Sequence, residues 1–265
     1  MITKTLAVII PNYNKSTFLS KTIDSILDQS ILPNEIIIID DCSNDNSKEI
    51  IKGYSNKYPN IIVPVLLESN HGVQYCRNLG VNMSKSTYIC FIDSDDFILD
   101  KECFEKQLKV VCKNKLVGVY QLCIDDKDCI ISSPLSKMMK IRFKTFYRYY
   151  MFLLQNFMLW PMHYIVNRQK VIDVGLFDFK YNLFEDADLV FKLFEAGVKP
   201  KWTNIEGKAY RINMSDPSHL SNANKEKQIV AMELFHKKHY NKLPLFTKLM
   251  IRVSRNWKRI KNEIE

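Results

Sequence analysis

Residues 88–97 read YICFIDSDDF. Tyr88, Ile89, Cys90, Phe91 and Ile92 form a short apolar run rich in aromatic and β-branched side chains, the composition of a strand buried on both faces. The run stops at acid. Asp93, Asp95 and Asp96 place three carboxylates within four residues, and like charges that close repel unless a cation or hydrogen-bond donors compensate them. Hard divalent ions take oxygen ligands, so an Asp-x-Asp at a rigid strand end suits Mg²⁺ or Mn²⁺ held together with a substrate diphosphate. Taken alone, the same four residues read more readily as a solvated acidic turn with Asp96 capping the next helix, because short motifs recur by chance. The surrounding chain decides between these readings.

Upstream, strand and helix signals alternate. Residues 6–10 and 35–39 are apolar runs of strand length, and 61–67 is extended. Residues 16–29 carry Phe18, Leu19, Ile23, Ile26 and Leu27 at helical spacing, and 47–58 and 73–83 are also helical. This rhythm predicts an α/β fold: a mostly parallel central sheet flanked by helices on both faces, with right-handed crossovers. Ligands of such sheets sit beyond the carboxyl ends of the strands. There the sequence places Pro11, Asn12, Tyr13 and Asn14 after the first strand, Asp40, Asp41, Cys42 and Ser43 after the second, and Asp93 to Asp96 after the fourth. No Gly-x-Gly-x-x-Gly and no P-loop occurs, and seven glycines in the whole chain leave no glycine-rich phosphate cradle, so a metal is the better phosphate ligand. Downstream, 116–124 and 164–167 read as strands and 144–157 as an aromatic-rich helix. Residues 183–196 form a helix ended by Gly197, while 201–204 and 207–212 read as two short antiparallel strands.

The composition is that of a folded chain, one domain with an appendage or two merged halves: 265 residues, 46% hydrophobic and 25% charged. No run approaches the roughly 20 apolar residues that span a bilayer, and the short apolar start is broken at once by Pro11, unlike a secretory signal. A cytoplasmic protein is expected. Seven cysteines, odd in number and without Cys-x-x-Cys, read as unbridged thiols. The net charge of +9 is concentrated at the end, where 225–265 holds 11 Lys and Arg against 4 Asp and Glu, pointing to a local anionic partner.

The strings LAVIIPNYN, EIIIIDDCSNDNS, NHGVQYCRNLG, FIDSDD, VGLFD and EDADLVFKL follow one another over residues 6–221. In that order and spacing they resemble the family 2 glycosyltransferases of the GT-A fold, which are inverting enzymes. The resemblance implies a GT-A catalytic domain over 1–221, with a nucleotide-binding half at 1–115 and an acceptor half at 116–221, followed by a basic helical C-terminal segment at 222–265. It further implies a nucleotide-sugar donor site containing Pro11, Tyr13, Asp41, Arg77 and Asp93. Tyr13 matches an aromatic ring that stacks on the base. Asp41 matches an acceptor-only carboxylate facing the uracil imide, with Asp40 as support. Arg77 matches a guanidinium at the donor rim; pairing it structurally with Asp93 or Asp95 is an open alternative. By the same resemblance Asp95 is a direct ligand of Mn²⁺ or Mg²⁺, Asp93 contacts the ribose or a metal-bound water, and Asp186 is the base that takes the acceptor's proton.

The implied reaction moves a sugar, most readily from a UDP-sugar, to a hydroxyl of a surface-glycan or lipid-linked saccharide acceptor, with no nucleic acid involved. His219, near the place where relatives carry a histidine, reads either as a displaced ligand or as an exposed loop residue. Trp160 reads as a sugar platform or as core. The loops 125–140 and 204–221, which would sense the sugar, carry no readable pattern. Over 246–264 the residues Phe246, Leu249, Met250, Val253, Trp257, Ile260 and Ile264 share one helical stripe among basic residues. That stripe suits either an anionic membrane surface at the cytoplasmic face of the inner membrane or packing on the catalytic domain. Two rival readings are a nucleotidyltransferase, which would need a basic loop after the first strand, and a catalytically degenerate membrane-associated binding protein.

Overall fold

The computed structural model describes residues 4–124, 130–131, 164–181, 183–211, 225–242, 245 and 248–249. The aromatic helix expected at 144–157, Trp160 and His219 lie outside them, as does the C-terminal stripe apart from Lys248 and Leu249.

The first half alternates as the sequence implies: β1 (Leu6–Asn12), α1 (Ser16–Leu27), β2 (Glu35–Asp40), α2 (Ser47–Lys57), β3 (Ile62–Leu66), α3 (Val73–Met83) and β4 (Tyr88–Phe91). Then come β5 (Phe97–Ile98), α4 (Cys103–Val110), β6 (Lys115–Ile124), β7 (Ile130–Ile131), β8 (Tyr164–Asn167), α5 (Arg168–Asp173), α6 (Glu185–Glu195), β9 (Lys199–Arg211) and α7 (Lys225–His239). One sheet runs β3-β2-β1-β4-β8-β6-β9-β5, with β7 paired to β6. The first four strands are mutually parallel, whereas β8 is antiparallel to both β4 and β6.

Every residue of β1 is buried because helices cover both faces of the sheet, and the period of two divides its side chains between them. Ala7 and Ile9 join Ile37, Ile39, Ile89 and Phe91 on the face packed by α3 and α6. Leu6, Val8 and Ile10 join Ile36, Ile38 and Cys90 on the face packed by Leu19, Ile23 and Ile26 of α1 and Phe104 of α4. Helix α3 approaches β1 closely at Gly80, where an added Cβ would lie 2.5 Å from Ile9 Cγ2. Pro64 is tolerated in β3 because that strand is the sheet edge, where a missing N–H costs no ladder bond.

Two expectations need correction. The segments read as separate strands at 201–204 and 207–212 are one strand, β9, lying parallel to β6. Its intervening polar residues are absorbed as irregularities, with register shifts at Gly118/Tyr120 and Tyr120/Gln121, rather than as a turn. Helix α6 begins at Glu185, not at 183, because Phe184 sits at φ 66°, in the left-handed region that a right-handed helix excludes.

Candidate active site

The parallel register sets the ends of β1, β2 and β4 level, with Asn12 opposite Asp40 and Ile9 opposite Phe91. The three polar loops therefore meet on one rim. Asn12, itself buried, donates from Nδ2 to Asp40 Oδ1 at 2.7 Å and to Ser43 Oγ at 3.3 Å. The Ser43 N–H donates to Asp40 Oδ2 at 2.9 Å, and the Asn14 N–H to Ser43 Oγ at 2.9 Å. Asp40 thus ties the first loop to the second. Asp45 Oδ2 accepts the Ser16 N–H and Oδ1 accepts the Ser47 N–H, so one carboxylate satisfies orphan donors at the starts of both α1 and α2. Pro11 is buried near the end of β1, while Tyr13, two residues on, is 45% exposed.

Asp41 is also buried, and the structure gives it a task that the sequence did not disclose. Its Oδ1 and Oδ2 accept the N–H groups of His71 and Gly72, both at 2.8 Å. These bonds anchor the loop that enters α3, where Gly72 stands at φ 89°, a conformation in which glycine has no Cβ penalty. The Cys76 thiol adds a further hydrogen bond to this carboxylate, whose remaining lone-pair capacity is left for an external donor.

The acidic turn after β4 is held from below. The Thr22 hydroxyl of α1 lies 2.9 Å from the Ser94 carbonyl and 2.7 Å from that of Asp96, and the Asp96 N–H closes the turn onto Asp93 O at 3.0 Å. Lys15 Nζ stands 2.9 Å from Asp95 Oδ2. Arg77, 4% exposed, joins the two halves of the chain: Nη2 meets Asp93 Oδ1 and Nη1 meets Glu185 Oε1, both at 2.8 Å. The Arg77 guanidinium also lies over the Phe177 ring at 5.3 Å. The sequence left the partner of Arg77 open between Asp93 and Asp95; it is Asp93, with Glu185 as a second partner that sequence reasoning missed. No short-range pattern links residues 108 positions apart, so only the fold reveals that pair.

Asp186 belongs to the same cluster. Burial first, and then the neighbouring Glu185 carboxylate, hold its carboxyl above the ordinary carboxylate range, against the Arg77 charge and the hydrogen bond from the Ala187 N–H at 2.7 Å. Asp93 adds to the same upward push, so the acidic turn and the start of α6 share one electrostatic environment. A carboxyl raised in this way is suited to exchange a proton near neutral pH. A short acidic first turn also lies at the positive end of the α6 dipole, which favours negative charge there.

Among the described residues no three His, Cys, Asp or Glu side chains converge as a self-sufficient metal cage. Asp93 and Asp95 offer hard oxygen ligands on one turn, already facing the cationic groups of Arg77 and Lys15. That donor set fits a Mg²⁺ or Mn²⁺ that takes one or two protein carboxylates and completes its shell with substrate phosphates and water.

Residues 7–179 match the family model "Glycosyl transferase family 2". The chain belongs to that family. The match ends before α6, so Glu185 is joined to the matched segment by its contact with Arg77 rather than by the match itself. A Bacillus subtilis glycosyltransferase named for teichuronic acid biosynthesis, TuaG, is 36% identical over 136 residues, covering 50% of this chain and 51% of its own length. The poly(ribitol-phosphate) beta-glucosyltransferase of Bacillus spizizenii is 36% identical over 95 residues, 35% of this chain and 15% of that protein. The chain thus spans about half the length, or less, of these curated relatives. Among solved structures, S. aureus TarS 1-349 in complex with UDP-GlcNAc matches 98% of this chain and 70% of its own, with TM-score 0.68 at 18% identity. The mannosyltransferase PcManGT of Pyrobaculum calidifontis, in complex with GDP-Man and Mn²⁺, covers 99% of this chain and 74% of its own, with TM-score 0.65 at 13% identity. At such identities the likeness establishes the GT-A fold.

Proposed function

We propose that the protein is an inverting, metal-dependent glycosyltransferase that moves a sugar from a nucleotide-sugar donor, a UDP-sugar in the first instance, to a hydroxyl of a surface-glycan or lipid-linked saccharide. One observation carries the reading: the buried Arg77 guanidinium holds Asp93 of the acidic turn and Glu185 at the start of α6 in a single cluster, with Asp186 beside them. In-line inversion needs a base on the side of the sugar opposite the leaving diphosphate, and the two acidic groups come from opposite halves of the chain. Asp186 takes the proton of the incoming hydroxyl as that oxygen forms its bond to the anomeric carbon and the bond to the diphosphate breaks. Asp95 and Asp93 would hold the divalent ion, which when bound neutralises charge on the departing diphosphate. Lys15, 2.9 Å from Asp95, adds a positive charge on the same side. Tyr13 offers its exposed ring to the base, and Asp41 offers its remaining lone pairs to the base edge.

The donor class rests on the UDP-GlcNAc held by TarS, and the acceptor class on the teichuronic acid and poly(ribitol-phosphate) named for two relatives. Among the described residues no helix is long and apolar enough to cross a membrane. Contact with an anionic membrane surface is supported by Leu245 and Leu249, 73% and 49% exposed within the basic C-terminal segment. The test is a panel of UDP- and GDP-sugars assayed for nucleotide release with Mn²⁺ and with chelator. Metal-dependent release from at least one donor, abolished in Asp95→Ala and in Asp186→Asn while the latter still binds nucleotide, is the expected result. Wild-type turnover by Asp186→Asn overturns the assignment of the base, and equal release in chelator overturns the metal.

A further inference from the structure

Helix α6 carries a second cluster of charge that starts two residues after Asp186, and it faces α7, a helix wholly outside the residues matched by the family model. Asp188 is completely buried. Its Oδ1 lies 2.6 Å from Lys238 Nζ and 2.8 Å from His239 Nε2, and its Oδ2 lies 3.2 Å from Lys192 Nζ. The other ring nitrogen of His239 is 3.2 Å from Glu195 Oε1, two helical turns further along α6, and Lys242 reaches the second oxygen of Glu195 at 3.2 Å. Lys238 also reaches back to Asp178 Oδ2 at 2.9 Å and lies over the Tyr181 ring at 5.1 Å. One ammonium therefore grips Asp178 and Asp188, which bracket the stretch of chain bearing Glu185 and Asp186.

Three features connect this grip to the site rather than to packing alone. Phe184, immediately before Glu185, is held in the left-handed region, a conformation that is unfavourable for a non-glycine residue and persists only where its surroundings over-determine it. The Asp178 end is fixed to the donor side, since the Phe177 N–H and carbonyl are both bonded by Asn78 at 2.9 and 3.0 Å, and the Phe177 ring underlies Arg77. Apolar contact between the two helices is already supplied by Phe191 and Phe235, whose ring centroids are 5.5 Å apart. Greasy faces tolerate small slips, whereas an ammonium between Asp178 and Asp188 and an imidazole between Asp188 and Glu195 fix position along the helix axis. The charges thus supply register. Burial of Asp188 would raise its carboxyl, but the His239 and Lys238 hydrogen bonds and the Lys192 charge outweigh it and take the carboxyl down to about 2, so Asp188 itself stays a carboxylate near neutral pH.

We propose that Lys238 and His239 are positioning residues for Asp186, and that sugar transfer therefore requires helix α7 although α7 contributes no group to the reacting atoms. The inference rests on Asp186 being the base, and the experiment separates the two claims. Lys238→Met, Lys238→Arg, His239→Gln and Asp186→Asn are assayed in the full chain with the donor that the wild type turns over fastest in the nucleotide-sugar panel. The value of kcat is normalised to the fraction of protein that binds the matching nucleoside diphosphate with Mn²⁺, so that partial unfolding does not lower it. Lys238→Met and His239→Gln are expected to lose tenfold or more in kcat, with donor KM and nucleotide affinity within threefold of wild type. Lys238→Arg, which keeps the charge, should regain at least half of the wild-type kcat. If Asp186→Asn is inactive and Lys238→Met keeps wild-type kcat, the positioning role is overturned and the base assignment stands. If Asp186→Asn is fully active, the base assignment itself falls. A Lys238→Met protein that binds no nucleotide, or one in which kcat and affinity fall together, shows α7 to be an element of the fold alone and likewise overturns the proposal.

Discussion

Replacing Arg77 by leucine should destabilise the protein far more than a surface substitution does. The guanidinium is 4% exposed and makes two contacts of 2.8 Å, to a Glu185 side chain 9% exposed and an Asp93 side chain 28% exposed. Leucine fills much of the space but leaves Glu185, Asp93 and Asp186 crowded without their cation. Breaking a buried pair by removing one partner typically costs about 3–5 kcal/mol, most of it for the charge left behind. For a chain of this size each kcal/mol moves Tm by roughly 2–4 °C, so a fall of about 6–20 °C is expected. Because the abandoned carboxylates can take up protons, the loss should shrink as pH falls from about 7 to 5. Adding Glu185→Gln to Arg77→Leu should restore part of the loss, with a coupling of about 1–3 kcal/mol in a double-mutant cycle. Thermal and urea unfolding of the four proteins at two pH values measure all of this. A Tm within 2 °C of wild type at pH 7, or a coupling near zero, would refute the account of Arg77 as the tie between the halves of the site.

The raised Asp186 carboxyl makes two linked predictions. Pushed up to about 7 in the folded protein, against about 3.9 when unfolded, Asp186 binds more protons in the native state between those values, so its contribution to stability falls as pH rises through that interval. Asp186→Asn should therefore gain on wild type by on the order of 2 kcal/mol between pH 5 and 8, read by urea unfolding, and a flat difference would oppose the assigned burial. Over the same interval wild-type kcat should rise with pH, since the base acts only when ionised, and the variant should lose about 10²–10⁴-fold in kcat. Asp41→Ala leaves the His71 and Gly72 N–H groups without their acceptor and should cost about 2–4 kcal/mol together with nucleotide affinity, checked by unfolding and by nucleotide titration. Gly80→Ala drives a methyl against Ile9 of β1 and should cost about 1–3 kcal/mol by overpacking, measured as a lower urea midpoint.

Much of the architecture was legible because it rests on local periodicity. Runs such as EIIIID can be buried on both faces only in a helix-covered parallel sheet, and the helical spacing of Leu19, Ile23 and Ile26 marks the covering helix. The polar residues after each strand then had to share one rim, since parallel strands end on the same side. The Arg77–Glu185 tie, the clamp of Asp41 on the loop into α3 and the grip of Lys238 on Asp178 and Asp188 were not legible. Each joins charges or backbone donors far apart in the chain, and sequence spacing encodes no distance once a contact depends on how helices pack. The sequence by itself determined which side chains reach the rim. Tertiary structure alone decided which of them compensate one another, because a buried charge is settled by whichever partner the packing brings within about 3 Å.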